Sequence, residues 1–315
     1  MAAIDCGTNS TRLLVADSDG SQLLRLSRIT RLGKGVDGTG ALAGDAIART
    51  LDVLTEYRAE MERLGVVNVR VSATSAARDA SNRADFFAPA AQIIGFAPEL
   101  LSGSEEGRLA FAGATADLDS AIGPYVVADI GGGSTEVVLG FAGHDPIGAI
   151  SLDVGCVRLT ERCLGHDPPL PAELKDAEAT VRLLLDKVIA SMPGVVGAPV
   201  LVGLAGTITT LAAIELGTTD RNATHHSVLS RAKVRDLLDR LATTDPAERL
   251  EILGLEPARA DVIVGGAVVL ATLLDYLDIG ECLVSEADIL DGLVMSLVTG
   301  RSESIAEPAP GLGNA

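Results

Sequence analysis

One short pattern is written twice in this chain, and it restricts what the chain can fold into. At residues 126–140 the sequence reads VVADIGGGSTEVVLG. An apolar run closes on Asp129, three glycines follow (Gly131, Gly132, Gly133), then Ser134, Thr135 and Glu136, and a second apolar run completes it. Near the N-terminus AAIDCGTNSTRLLVAD repeats the design. One offset of 124 residues carries Asp5 onto Asp129, Gly7 onto Gly131, Ser10 onto Ser134 and Thr11 onto Thr135. Apolar residues continue at period two after each turn, so the pattern predicts strand, tight Gly-rich turn, strand. A Walker A loop or a dinucleotide fingerprint would lead into a helix instead. The glycines remove every Cβ from the turn, which predicts positive φ and close approach to a ligand. Successive N–H groups in such a turn make an anion-binding concavity. An aspartate at the strand end suits Mg²⁺ or its water shell.

A third Gly-rich segment, LVGLAGTITTLAAIELG, passes from a strand at 200–204 through Gly206 and Thr207 into a helix. Two hairpins half a chain apart predict two similar α/β domains facing across a cleft, with a phosphate chain between the turns. The boundaries expected are 1–122 and 123–300, the last helix able to pack back on the first domain, and 301–315 as a flexible tail.

Composition narrows the partners. The chain has 315 residues, 47% hydrophobic and 22% charged, which is ample for a core. It has no Trp and only 3% aromatics, so a base-stacking surface is not expected. A formal charge of −18 argues against nucleic acid or an acidic membrane as partner. Backbone amides, a divalent ion and a few arginines can still bind phosphate locally. Cys6, Cys156, Cys163 and Cys282 form no CxxC pair, and so few in so long a chain read as reduced thiols in a cytoplasmic protein. The N-terminus MAAIDCG lacks the basic segment of a signal peptide, and the longest uncharged apolar stretch, 262–274, is too short to span a bilayer.

Along the chain, residues 30–44 read as an irregular loop carrying Arg31 and Lys34. A helix follows at 45–64, capped by Asp45 and ended by Gly65. A strand at 66–71 runs into SATSAARDASNR, where Arg78 beside small hydroxylated residues suits either an anion at a helix N-terminus or plain solvent exposure. In SGSEEGRLAFAGA, Ser104 is the expected cap, and the helix dipole by itself favours Glu105 and Glu106 in the first turn. His225 and His226 stand in a polar stretch, THHSVLS, and read as surface. Gly265 and Gly266 inside the apolar helix of 257–277 predict close packing or approach to a ligand.

Duplicated Asp-x-Gly hairpins mark the actin, sugar kinase and Hsp70 superfamily. Within it the chain resembles the exopolyphosphatase / guanosine pentaphosphate phosphohydrolase (Ppx/GppA) family over about residues 3–299. The carrying segments, in family order, are IDCGTNSTRLLV, RLGKGVDGTGAL, ATSAARDASN, SGSEEGRLAF, DIGGGSTEVV, GLAGTITTLAA, PARADVIVGGAVVL and LVSEADILDGL. The resemblance implies Glu106 as general base for the attacking water. It implies Asp129, Glu136 and Asp5 around a metal, Mg²⁺ with Mn²⁺ as the alternative. Asn9, Ser10, Arg78, Gly131, Gly132, Ser134, Gly206 and Thr207 match phosphate-loop positions. Two departures stand out: Thr8 replaces the usual Ser, and Ser285–Gly292 stands where many members end in Arg-Glu-Gly. Longer members also append helical domains that extend the polyphosphate channel.

The implied reaction is metal-dependent hydrolysis of the terminal phosphoanhydride of inorganic polyphosphate by a cytoplasmic homodimer. The alternatives are pppGpp 5′-phosphohydrolysis, an actin-fold phosphotransferase, and a non-catalytic nucleotide-binding protein.

Overall fold

Each hairpin opens a mixed β-sheet. The structure, a computed structural model, describes residues 1–300, so the tail expected at 301–315 lies outside the described residues. β1 (Ala2–Cys6), β2 (Ser10–Ala16), β3 (Gln22–Ile29), β4 (Val69–Ala73) and β5 (Glu99–Leu100) form a sheet in the order β3-β2-β1-β4-β5. β6 (Tyr125–Ile130), β7 (Thr135–Gly140), β8 (Gly148–Leu152), β9 (Val200–Leu204), β10 (Val228–Ser230) and β11 (Glu281–Val284) form another, in the order β10-β11-β9-β6-β7-β8. From the β8 end, the second sheet repeats the first and adds β10 at its far edge. The first two strands of each are antiparallel, and the first pairs in parallel with the fourth. This is the duplicated α/β topology of two actin-like domains.

The central strands β1, β2, β6, β7 and β9 are buried on both faces, as sheets covered on both sides require. In β1 and β2, Ala2, Ile4, Cys6, Leu13 and Val15 face one core, while Ala3, Leu14 and Ala16 face another. Helices Gly44–Arg63 and Ala84–Ile94 cover the outer face of the first sheet through Leu54, Tyr57, Met61, Phe86 and Ile94. Helices Pro171–Ser191, Ala205–Leu216, Arg231–Thr243 and Ile263–Tyr276 cover the outer face of the second. Between the sheets lie helices Gly103–Ala114 and Ile289–Val298, whose Ala110, Phe111, Leu290 and Leu293 share a core with Leu14, Val127 and Val202. Burying each such Leu or Phe contributes roughly 1.5–3 kcal/mol. The two helices cross without room for side chains. A Cβ on Gly113 would lie 2.1 Å from the Asp288 carbonyl, and one on Gly292 would lie 2.0 Å from the Leu109 carbonyl.

Several local expectations change. Asp45 does not cap its helix: Ala43 holds the cap position, and Asp45 pairs with Arg49 one turn on. Gly65 does end that helix, at φ +67°. The cap before Glu106 is Ser102 rather than Ser104. Its Oγ accepts from Glu105 N–H, and the Glu105 carboxylate accepts from Ser102 N–H at 2.9 Å, a reciprocal capping box. The irregular stretch at 30–44 contains one helical turn, Val36–Thr39.

Candidate active site

The hairpin turns of both sheets meet across a small cavity of about 60 Å³. The turns close identically: Gly7 N–H donates to the Ser10 carbonyl and Gly131 N–H to the Ser134 carbonyl, both at 3.0 Å. Each is then fastened from behind. N–H groups of Thr30, Arg31 and Gly33 hold the carbonyls of Asn9 and Thr8. N–H groups of Cys156, Val157 and Arg158, at the start of helix Cys156–Cys163, hold those of Gly131 and Gly132.

The reason for the glycines is not the one expected. None of Gly7, Gly131, Gly132 or Gly133 has positive φ. Space dictates them. A Cβ on Gly132 would lie 3.0 Å from the Thr8 Cβ, and one on Gly133 would lie 2.6 Å from Ser75 Oγ and 2.8 Å from Thr8 Oγ1. The second turn is bare so that the first half can approach it. Gly266 likewise serves packing, since a Cβ there would strike Thr207 at 2.5 Å.

Glu106 lines the cavity from the first turn of helix Gly103–Ala114 and is 8% exposed. Burial raises its pKa, and Arg78, donating to Oε2 at 2.6 Å, acts in the opposite sense. Arg78 also donates to the Leu101 carbonyl and does not line the cavity. Its partly buried guanidinium holds Glu106. Glu136 lies behind Glu106, accepting from Ser151 Oγ at 2.7 Å. Full burial, with Glu106 and Asp129 nearby, raises its pKa well above the carboxylate range.

Two cross-strand pairs set the electrostatics. Asp5 stands opposite Arg12 in the β1–β2 register, and Asp129 opposite Glu136 in the β6–β7 register. Asp5 Oδ2 accepts from Arg12 Nη2 at 2.6 Å, and Arg12 Nη1 also donates to Asp288. Asp288 caps helix Ile289–Val298 and accepts from Arg25 as well. Asp129 faces the cavity, and its pKa is raised to about 7. Burial is the largest cause, Arg12 opposes it, and Glu106, Asp288 and Asp5 add to it.

The structure thus brings Asp5, Asn9, Ser10, Glu106, Asp129, Gly131, Gly132, Ser134, Gly206 and Thr207 to one cavity, and leaves Arg78 and Glu136 in the layer behind it. Arg12 and Arg259 also line it and were not singled out from the sequence. Arg12 could have been, because a two-residue hairpin register sets it directly across from Asp5. Arg259 could not: it reaches over Gly206, where a Cβ would lie 2.2 Å from its Nη1, from a turn more than fifty residues on.

Two Gly turns, a helix N-terminus at Ala205–Thr207 and a buried carboxylate converging on one small cavity define a phosphate-handling α/β protein of the actin-like class. The chain belongs to the Ppx/GppA phosphatase family, whose profile matches residues 14–300. It is 44% identical to Exopolyphosphatase 2 of Mycobacterium tuberculosis, over 94% of this chain and 98% of that protein. It is 30% identical to the guanosine-5′-triphosphate,3′-diphosphate pyrophosphatase of Vibrio cholerae, over 96% of this chain but 60% of that one. The crystal structure of the Aquifex aeolicus Ppx/GppA family member superposes with a TM-score of 0.78 at 34% identity, covering 96% of this chain and 98% of that one. Among the described residues no helix is long and apolar enough to cross a membrane.

Proposed function

We propose that the cleft hydrolyses the terminal phosphoanhydride of inorganic polyphosphate and releases one orthophosphate per cycle. The observation that carries this reading is Asn9. Its side chain is buried in the cradle, and neither its amide nitrogen nor its amide oxygen has a partner among the described residues. Each such orphan costs ~1–3 kcal/mol; a bound phosphate oxygen accepting from Nδ2 would offset the nitrogen's share, and Oδ1 would take a donor such as a bound water. The terminal phosphate would sit between the two turns, against Ser10, Ser134 and the N-terminus of helix Ala205–Leu216.

Little covalent chemistry is asked of the protein in phosphoryl transfer; positioning and charge neutralisation dominate. Glu106 orients a water. The water oxygen bonds to phosphorus, the bridging P–O bond breaks, and the shortened chain leaves with the electron pair. The proton passes to the Glu106 carboxylate, whose basicity burial increases and whose position Arg78 fixes.

The residues present fit a divalent ion. Asp129 faces the cavity with three other carboxylates around it, each held by arginine: Glu106 by Arg78, Asp5 by Arg12, and Asp288 by Arg12 and Arg25. Asp5 is committed to Arg12, and Glu136 is set behind. Asp129, joined by Asp5 if Arg12 turns fully to Asp288, would hold Mg²⁺ or Mn²⁺, which when bound would neutralise charge on the phosphate oxygens. The homodimer and cytoplasmic location belong to the same proposal, and light scattering of the purified chain checks the first.

Phosphate release from polyphosphate with Mg²⁺ tests the reading. Glu106→Gln is expected to lower turnover by ~10²–10⁴-fold with KM retained. Undiminished turnover would remove Glu106 as the base.

A second reading, pppGpp 5′-phosphohydrolysis, has its own support. A cavity of about 420 Å³ opens off the cradle and shares Arg12, Ala205, Gly206 and Arg259 with it. Leu26, Ala213, Leu255 and Leu290 give it apolar walls with room for a nucleoside. Its arginines are already paired with acids, Arg25 with Asp291, Arg221 with Glu286 and Arg259 with Glu256. Release from pppGpp without release from polyphosphate would move the assignment to this substrate while leaving the site unchanged.

A further inference from the structure

Beside Thr224 and Glu286, which line the larger cavity, Asp117, His225 and His226 bring one ligand atom each to within 4.8 Å of one another. We propose that these three residues form a binding site for a d-block dication of the Zn²⁺ class, separate from the cleft and different from it in chemistry.

The backbone builds the convergence. His226 adopts left-handed φ of +60°, uncommon for a residue with a side chain. That breaks the alternation which sends neighbouring side chains to opposite faces and puts the two imidazoles side by side, stacked at 3.9 Å with 29° between their planes; the stack has to open for both Nε2 lone pairs to meet at one ion. The bend is fixed to the end of β11, with His226 N–H donating to the Val284 carbonyl at 2.7 Å and Val284 N–H to the Ser227 carbonyl at 2.9 Å. Asp117 arrives from 108 residues earlier, just past helix Gly103–Ala114.

Two of the three separations match a metal, and the third, between the two imidazoles, lies within 4.8 Å. Asp117 Oδ2 lies 3.3 Å from His225 Nε2 and 3.4 Å from His226 Nε2. Tetrahedral zinc, with Zn–N and Zn–O bonds of about 2.0–2.1 Å, sets its ligand atoms about 3.3–3.4 Å apart. Two imidazoles and one carboxylate suit Zn²⁺, Cu²⁺ or Ni²⁺, whereas Mg²⁺ takes oxygen ligands. A water would complete the set at this half-exposed position.

Loading the site has a structural consequence. Glu286 N–H donates to His225 Nδ1 at 3.2 Å, so the neutral ring carries its proton on Nε2. Coordination through Nε2 moves that proton to Nδ1, which then faces the Glu286 N–H as a second donor. The Glu286 bond must be given up, two residues from Asp288 and its grip on Arg12.

The test uses Co²⁺ as a spectroscopic probe for Zn²⁺, titrated into the full chain carrying Asp129→Ala to disable the cleft. One equivalent is expected to give the visible band of tetrahedral cobalt, displaced by Zn²⁺, with the Glu286 amide resonance shifting in step. Adding His226→Asn, which tolerates left-handed backbone but offers no imidazole, is expected to weaken binding by ~10–100-fold or more. Asp117→Asn gives the same readout without touching the bend. A parent with no tetrahedral band, or variants that bind as the parent does, would overturn the proposal and leave an ordinary His–Asp surface cluster.

Discussion

The two hairpins share a topology, a turn closure and a rear fastening, yet they are not interchangeable. The first carries Thr8 and Asn9 where the second carries Gly132 and Gly133, so one turn supplies knobs and the other the space they enter. Opposite its aspartate the first has Arg12; the second has Glu136. One half is therefore neutralised within its own sheet, and the other holds a surplus of buried negative charge. Under the proposed function, a duplicated scaffold with its surplus negative charge on one copy would take a divalent ion and its phosphate on the second copy's side of the cleft.

The comparison breaks most severely at Arg12. Arg12→Met leaves Asp5 buried without its cation and strips one partner from Asp288. Removing one member of such a pair costs ~3–5 kcal/mol, read as a lowered urea midpoint at unchanged slope. Retained stability would mean that Asp5 is not dependent on the pair.

Next comes the shape difference. Gly133→Ala gives the second turn a side chain against Ser75 and Thr8. The clash is expected to cost ~1–3 kcal/mol and to raise KM for polyphosphate as the halves are pushed apart. Gly7→Ala, whose Cβ would meet the Ser10 carbonyl at 3.1 Å and Asp5 Oδ2 at an ordinary 3.5 Å, should be milder. Equal effects would show that the two turns are equivalent after all.

The third difference shows as a slope. Asp129 has a folded pKa of about 7 against an ordinary 3.8. Between those values the folded state keeps a proton that the unfolded chain has lost. The metal-free protein therefore loses stability as pH rises from about 4 to about 7. Asp129→Asn is expected to flatten that fall in thermal melts across the window, and saturating Mg²⁺ to reduce it in the parent. A profile that rises with pH over this range, or is unchanged in Asp129→Asn, would contradict the charge surplus.

Local features were legible because they are set by neighbours in sequence. The β1–β2 and β6–β7 hairpins follow from period-two runs around a short turn, and Gly65 ends its helix as its position suggests. Where two local solutions compete, the reading slipped. Ser102 took the cap from Ser104 because Glu105 could return the hydrogen bond, and Asp45 found Arg49 a better partner than its own backbone. The turn glycines were placed correctly but for the wrong reason, since what Gly132 and Gly133 avoid is a clash with residues more than fifty positions away.

By itself the sequence determined two Asp-Gly hairpins, their constant offset, a buried acid at each strand end and the carboxylates and glycines that can meet a phosphate. Spacing along the strand and turn chemistry act over a few residues and need no fold to be read. Only the tertiary structure decided which of those groups share a cavity. It put Arg78 against Glu106, brought Asp288 to Arg12 across 276 residues, and laid Arg259 over Gly206. Those contacts depend on how two sheets and two crossing helices pack, and a burial that joins distant segments leaves no period or spacing in the chain to announce it.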